Sequence, residues 1–175
     1  MARIVILPKK MKDELVDLAM DENETSGYIF YKQPKNDNED EYCKLEQYVI
    51  TGEGTPGRVE SLEEGRLMVE EFLKRNPNYD YIEFHTHSVG TLRDYGEDYG
   101  WEFSDIDRQN INEAVAEKSN YIQMLVTPKT TLISGKNGIK LAIVDNLPSY
   151  EKQRDAINKA LDELAEDLGV KLERE

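Results

Sequence analysis

Both histidines of this 175-residue chain stand two residues apart, in His85-Thr86-His87. Only about 1% of random placements of two histidines in a chain of this length give that spacing. They end the run from Tyr79 to Thr86, which reads as a buried strand. In a strand, residues i and i+2 project from the same face, so the two imidazoles converge on one point. Two ligands of a single metal ion need that convergence. Imidazole suits Zn2+, and with one cysteine in the chain no thiolate cluster competes for it. The plainer reading is two histidines brought together by accident.

Hydrophobic residues make up 38% and charged residues 33% of the chain. That is enough apolar material for a core and too much for a wholly disordered polymer. At this length a single domain spanning residues 1–175 is expected. Asp and Glu number 36 against 22 Lys and Arg, a formal net charge of -14. Such a surface repels phosphate backbones, so no nucleic-acid partner is expected. The lone Cys43 excludes an internal disulfide framework and a Cys-rich zinc ribbon. No apolar run approaches the ~20 residues needed to span a bilayer. The apolar stretch Ile4 to Leu7 is too short for a signal peptide. A cytoplasmic protein without a membrane partner is the expectation.

Periodicity predicts a chain of interspersed strands and helices. Strands are expected at Ile4 to Leu7, Tyr28 to Lys32, Tyr42 to Thr51, Tyr79 to Thr86, Tyr121 to Thr127, Thr130 to Ser134 and Ile139 to Val144. Helices are expected at Pro8 to Met20, Ser61 to Arg75 and Ser104 to Lys118, the last with Ile106, Ile111 and Ala114 or Val115 apolar. A C-terminal helix at about 149–168 carries Ile157, Leu161, Leu164 and Leu168 at spacings of 4, 3 and 4, a core stripe or, less simply, a dimer seam. Gln33 to Glu41 reads as a polar loop. Lys136-Asn137-Gly138 carries the Asn-Gly hairpin signal. Ser88 to Phe103, rich in Gly, Asp, Glu and Tyr, reads as irregular.

A catalytic zinc usually has three protein ligands and one open position. The best third candidate is Asp107, in Ser104-Asp105-Ile106-Asp107. By itself, Ser-x-x-Asp is an ordinary helix capping box. Downstream of the histidine pair, it also brings a carboxylate and a hydroxyl near the strand end. Glu24, before Thr25-Ser26-Gly27 and an apolar strand, is the candidate general base. In an acidic chain an isolated glutamate is otherwise a surface residue.

Glu24-Thr25-Ser26-Gly27 before an apolar strand, His85-Thr86-His87 ending one and Ser104-x-x-Asp107 opening a helix together resemble the JAMM metalloprotease motif of MPN-plus (JAB) domains. Thr51-Gly52-Glu53-Gly54-Thr55-Pro56-Gly57 is similar to the Thr-Gly-Pro-Gly-like loop of prokaryotic JAB proteins. The resemblance runs in order from about Ile4 to Val144. It implies a deaminase-like α/β sandwich, a mixed β-sheet flanked by helices. It implies one zinc per chain, with His85, His87 and Asp107 as ligands. Glu24 would be the catalytic acid/base and Ser104 the hydroxyl that helps stabilise a tetrahedral intermediate. The activity implied is hydrolysis of peptide or isopeptide bonds in a protein substrate, such as a ubiquitin-like modifier conjugate.

The sixteen residues between His87 and Ser104 exceed the family spacing, and Ser88-Val89-Gly90 stands where a proline is usual. Residues 88–103 are therefore expected to be an insertion that governs substrate access rather than ligand geometry. Tyr95, Tyr99 and Trp101 are its candidate substrate-binding anchors. Three other readings stand beside this one: a non-hydrolytic MPN-like interaction scaffold, a nucleic-acid-associated JAB protein, and a non-haem iron enzyme using two His and one carboxylate. The sequence leaves the oligomeric state open.

Overall fold

The computed structural model describes residues 3–34, 41–136 and 138–170. In chain order the elements are β1 (Arg3–Pro8), α1 (Lys9–Ala19), β2 (Thr25–Lys32), β3 (Glu41–Glu53), α2 (Glu63–Arg75), β4 (Tyr79–Thr86), α3 (Val89–Tyr95), α4 (Glu97–Gly100), α5 (Asp105–Glu117), β5 (Ile122–Val126), β6 (Thr131–Gly135), β7 (Ile139–Val144) and α6 (Tyr150–Leu168). The structure is thus mixed α/β. The expected loop at Gln33 to Glu41 falls largely on residues 35–40, outside the described residues.

Seven strands form one mixed sheet in the order β6-β5-β4-β2-β3-β1-β7. β2 shows how its layers arise. Ile29 and Tyr31 point to one face and Tyr28 and Phe30 to the other. All four are buried, because helices cover both faces. Ile29 and Tyr31 share a cluster with Met11 and Leu15 of α1. Tyr28 and Phe30 pack with Met68 and Phe72 of α2 and with Ile157, Leu161 and Leu164 of α6. A strand buried on both sides loses its polar alternation. Gly27 fits the same crowding, since a Cβ there would lie 2.1 Å from the Val49 carbonyl oxygen.

α6 is held to the body by polar contacts as well. Arg154 makes two hydrogen bonds to the Glu14 carboxylate of α1 and one of 3.0 Å to Gln47 of β3. The expected stripe on α6 holds at its first three positions, whereas Leu168, in the last turn, is exposed.

Two expectations are corrected. β6 and β7 do not pair as a hairpin. β7 instead runs parallel to β1, from Arg3↔Ile139 to Pro8↔Val144, while β6 pairs antiparallel with β5. Gly138 still turns the chain, at φ 89, and Asn137 lies outside the described residues. The physical reason is that β1 offers a six-residue edge, longer than any pairing a three-residue turn would have made with the five-residue β6. β6 and β7 stand at opposite ends of the strand order yet approach one another, so the sheet curls nearly into a barrel. The second correction concerns residues 88–103, which contain α3 and α4 rather than irregular chain. Ser88 caps α3 by accepting a hydrogen bond from the Thr91 N–H, and Gly96 at φ 88 ends it.

Among the described residues no helix is long and apolar enough to cross a membrane. β4 and β5 are parallel neighbours joined by a crossover through α5. In such a unit the carboxyl end of the first strand and the amino end of the helix meet above the sheet, the usual place for a site. The His85 end of β4 lies there.

Candidate metal centre

His85 and His87 leave the end of β4 on the same side, with ring centroids 5.3 Å apart. Thr86, between them, points the other way and is fully buried. Its hydroxyl accepts a 2.9 Å hydrogen bond from the Thr25 N–H at the start of β2. One tripeptide therefore aims two imidazoles into a cleft and fastens the strand that begins just after Glu24.

Asp107 completes the group. The Ser104 hydroxyl accepts from the Asp107 N–H at 3.1 Å, and Asp107 Oδ2 accepts from the Ser104 N–H at 2.8 Å. The capping box and the candidate ligand are thus the same residue: the box that starts α5 also holds the carboxylate toward the histidines. Asp107 Oδ1 lies 3.3 Å from His85 Nε2, and Oδ2 lies 3.4 Å from His87 Nε2. One ligand atom from each of the three residues falls within 4.8 Å of the others.

Three observations fit this group to a metal ion. His85 Nε2 is buried and has no hydrogen-bond partner among the described residues. Its 3.3 Å separation from Asp107 Oδ1 is the edge of a tetrahedron whose ligands stand ~2.0 Å from the ion, about 3.3 Å. The remaining ring nitrogens are engaged elsewhere: His87 Nδ1 is 3.0 Å from the Gly100 carbonyl oxygen, which can only accept. His87 therefore carries its proton on Nδ1 and presents a lone pair at Nε2 when neutral.

The electrostatics agree. Burial alone would raise Asp107, but the two facing imidazoles and the Ser104 N–H outweigh it and hold the carboxyl well below the usual range. Burial alone would lower His87, but Asp107, Glu24 and the Gly100 carbonyl outweigh it and raise the ring. Without a metal, the carboxylate and an imidazolium satisfy each other; metal binding would displace that proton.

Glu24 is buried beside the same cleft. Burial raises its carboxyl above the ordinary value, against the Thr91 hydrogen bond and the two histidines. The Thr91 hydroxyl donates to Glu24 Oε1 at 2.8 Å and accepts from the Gly57 N–H at 2.9 Å. Ser88 stands behind it, donating to the Glu22 carbonyl at 2.8 Å. Gly90 lies so close to this segment that a Cβ would sit 2.0 Å from the Glu22 carbonyl oxygen. α3 is therefore clasped to the chain around Glu24.

Glu24, His85, His87, Ser104 and Asp107 all line one cleft of about 570 Å³. Tyr95 and Ile106 line it too, both exposed. Trp101 is not among the lining residues. Its ring lies 4.9 Å from Lys129 Nζ, a cation–π contact on the neighbouring loop. The side chain of Tyr99 lies outside the described residues.

Sequence reasoning missed Thr91, Gly100 and Gln123. Gln123, in β5, reaches His85 Nδ1 at 2.8 Å. Its signal was present, as the one polar residue in the apolar run Ile122-Gln123-Met124-Leu125-Val126. Thr91 and the Gly100 carbonyl had no comparable signal. No protein-family model and no curated protein matches this chain.

Proposed function

We propose that this protein is a zinc-dependent hydrolase of the JAMM type, on a JAB/MPN-like fold, cleaving peptide or isopeptide bonds in a protein substrate such as a ubiquitin-like modifier conjugate. The observation that carries the reading is the convergence of His85, His87 and Asp107 beside a buried, hydrogen-bonded Glu24. Against an iron facial triad, which uses the same three ligand types, stands Glu24: hydrolysis needs a buried carboxylate next to the ligands, and oxygen chemistry does not. Against a non-hydrolytic scaffold stands the complete ligand set.

His85, His87 and Asp107 would hold the ion. When bound, zinc lowers the pKa of a coordinated water toward ~7 and polarises the carbonyl under attack. Glu24 takes one proton of the water as its oxygen joins the carbonyl carbon. Thr91 fixes Oε1, so Oε2 is the atom that moves the proton. The raised Glu24 carboxyl suits this work, since a carboxylate lifted by burial holds an accepted proton more readily until it is returned. Glu24 then delivers the proton to the departing amine as the C–N bond breaks. The Ser104 hydroxyl accepts from the Asp107 N–H and lines the cleft, so its own hydrogen is left to donate there. There it donates to the developing oxyanion, a contribution of roughly 3 kcal/mol.

One zinc per chain is expected in the purified protein, and Asp107→Ala is expected to weaken binding by at least ~100-fold, more than the loss of an outer hydrogen-bond partner. Elemental analysis and chelator competition measure both. Cleavage of a ubiquitin-like fusion and of a short peptide by the zinc-loaded chain tests the activity. Protein that takes up no zinc, or that holds zinc and cleaves neither substrate, would overturn the reading.

A second expectation concerns Thr91. Replacing it by Val removes the donor to Glu24 and leaves the Gly57 N–H unpaired. Thr91→Val should lower kcat/KM about tenfold, ~1.4 kcal/mol, with zinc retained, and Thr91→Ser should restore most of it. Equal activity in Val and wild-type proteins would show that Glu24 needs no such support.

A further inference from the structure

We propose that Gln123, Tyr121 and Glu83 form a positioning chain that sets the tautomer of His85 and so tunes its strength as a metal ligand. The inference rests on the metal-centre reading above and extends it to residues that reading does not use.

The register of two parallel strands creates the chain. Glu83 and Gln123 are partners across β4 and β5. His85 lies two residues after Glu83, and Tyr121 two residues before Gln123, so all four side chains share one face. Gln123 reaches His85 Nδ1 at one end, at 2.8 Å, and the Tyr121 hydroxyl at the other. The Tyr121 hydroxyl lies 2.5 Å from Glu83 Oε2. Tyr121 is itself buried.

Proton counting fixes the direction. A phenol has one proton, and a carboxylate can only accept. With the Gln123 nitrogen toward His85, the Tyr121 proton would have to serve two acceptors, Glu83 and the Gln123 carbonyl. Turning the amide by half a turn exchanges two groups of equal size and satisfies every partner. Tyr121 then donates to Glu83 and accepts from the Gln123 NH2, while the Gln123 carbonyl accepts from His85 Nδ1–H. With that proton on Nδ1, the neutral ring presents its lone pair at Nε2, the buried atom that faces Asp107. His87 reaches the same tautomer through the Gly100 carbonyl. Each imidazole thus has its own acceptor, one from a backbone and one from a side-chain chain anchored on a carboxylate.

The test uses the full chain and zinc itself. Zinc affinity by chelator competition is measured for wild type, Gln123→Leu, Gln123→Glu and Tyr121→Phe, with circular dichroism to confirm folding. Gln123→Leu should weaken zinc by ~10–100-fold, the range for loss of an outer acceptor. Gln123→Glu keeps an acceptor toward Nδ1 but sets a second carboxylate against Tyr121 and Glu83, so it should recover part of the loss and bind zinc more tightly than Gln123→Leu. Tyr121→Phe leaves the amide in place without its anchor and should give a smaller loss. In 1H–15N spectra of the zinc-loaded wild type, a protected His85 Nδ1–H signal is expected, and it should exchange rapidly in Gln123→Leu. If wild type binds zinc but Gln123→Leu binds it equally, the positioning chain is wrong and the metal centre stands. If Gln123→Glu is as weak as Gln123→Leu, the direction of the chain is wrong. If wild type binds no zinc, the metal-centre reading itself falls, and this assignment with it.

Discussion

Glu24→Gln should lower turnover by ~10²–10⁴-fold, the range for removal of a general acid–base group, while zinc content and melting temperature stay close to wild type. The argument is one of shape and charge. Gln keeps an oxygen that accepts from the Thr91 hydroxyl, so the contact that fixes the side chain survives. Burial already disfavours the charged form of Glu24, so a neutral amide of the same size costs the fold little. What Gln lacks is the capacity to take a proton. Glu24 is proposed as a base and not as a ligand, so the ion stays with His85, His87 and Asp107. The variant therefore separates chemistry from assembly, which a ligand substitution does not. Kinetics on a conjugate substrate, together with elemental analysis, checks it. Near-normal turnover would remove Glu24 from the mechanism, and loss of zinc would make it a ligand.

How far the sequence carried the fold depends on what each segment answers to. β4 and β7 have the boundaries that their apolar patterns indicate, because β4 is packed along its length and β7 pairs with β1 at every position. β2 starts three residues earlier than its apolar run suggests, at Thr25 rather than Tyr28. Its first residues are polar yet buried, since Ser26 pairs with His85 and Thr25 bonds to Thr86. That is a tertiary demand, invisible to local periodicity. Strand pairing was beyond the pattern for a related reason: the Asn-Gly turn signal is local, whereas the choice of β1 as the partner of β7 depends on which edge the rest of the sheet leaves open.

The candidate site divides along the same line. His85 and His87 were legible from an i, i+2 spacing, and Ser104 and Asp107 from a capping pattern, because each is a short-range regularity. Their joining into one group needed the β4–α5 crossover, which the resemblance supplied as an expectation. The groups that orient them come from elsewhere in the chain. Thr91 serves Glu24 from 67 positions away, and Gln123 serves His85 from 38. Ile106 shows the opposite limit: an apolar residue at the helical period can still face a cleft, and it is exposed there.

Replacing Thr91 to Gly100 with a few glycines is expected to damage the centre, not merely to open it. From the sequence, this stretch should be an adjustable rim, whose shortening would leave zinc content and melting temperature unchanged. The contacts reverse that expectation. The replacement removes the Thr91 hydroxyl, which holds both Glu24 and Gly57, and the Gly100 carbonyl that His87 Nδ1 faces. Leu92 goes with them, although it packs against Gly100 within the stretch. Loss of the His87 acceptor alone should weaken zinc by ~10–100-fold. Unpairing buried groups costs about 1–3 kcal/mol each, so the melting temperature should fall by at least ~5 °C. Because the damage lies at the metal ligands and the base, cleavage of a short peptide and of a folded conjugate should fall together. Tyr95 gives the contrasting case: it lines the cleft but is largely exposed, so Tyr95→Ala should spare zinc and the fold and alter only substrate use. Zinc titration, thermal melts and the two cleavage assays on both variants distinguish these outcomes. A shortened chain with full zinc affinity and an unchanged melting temperature would return the stretch to the status of a rim.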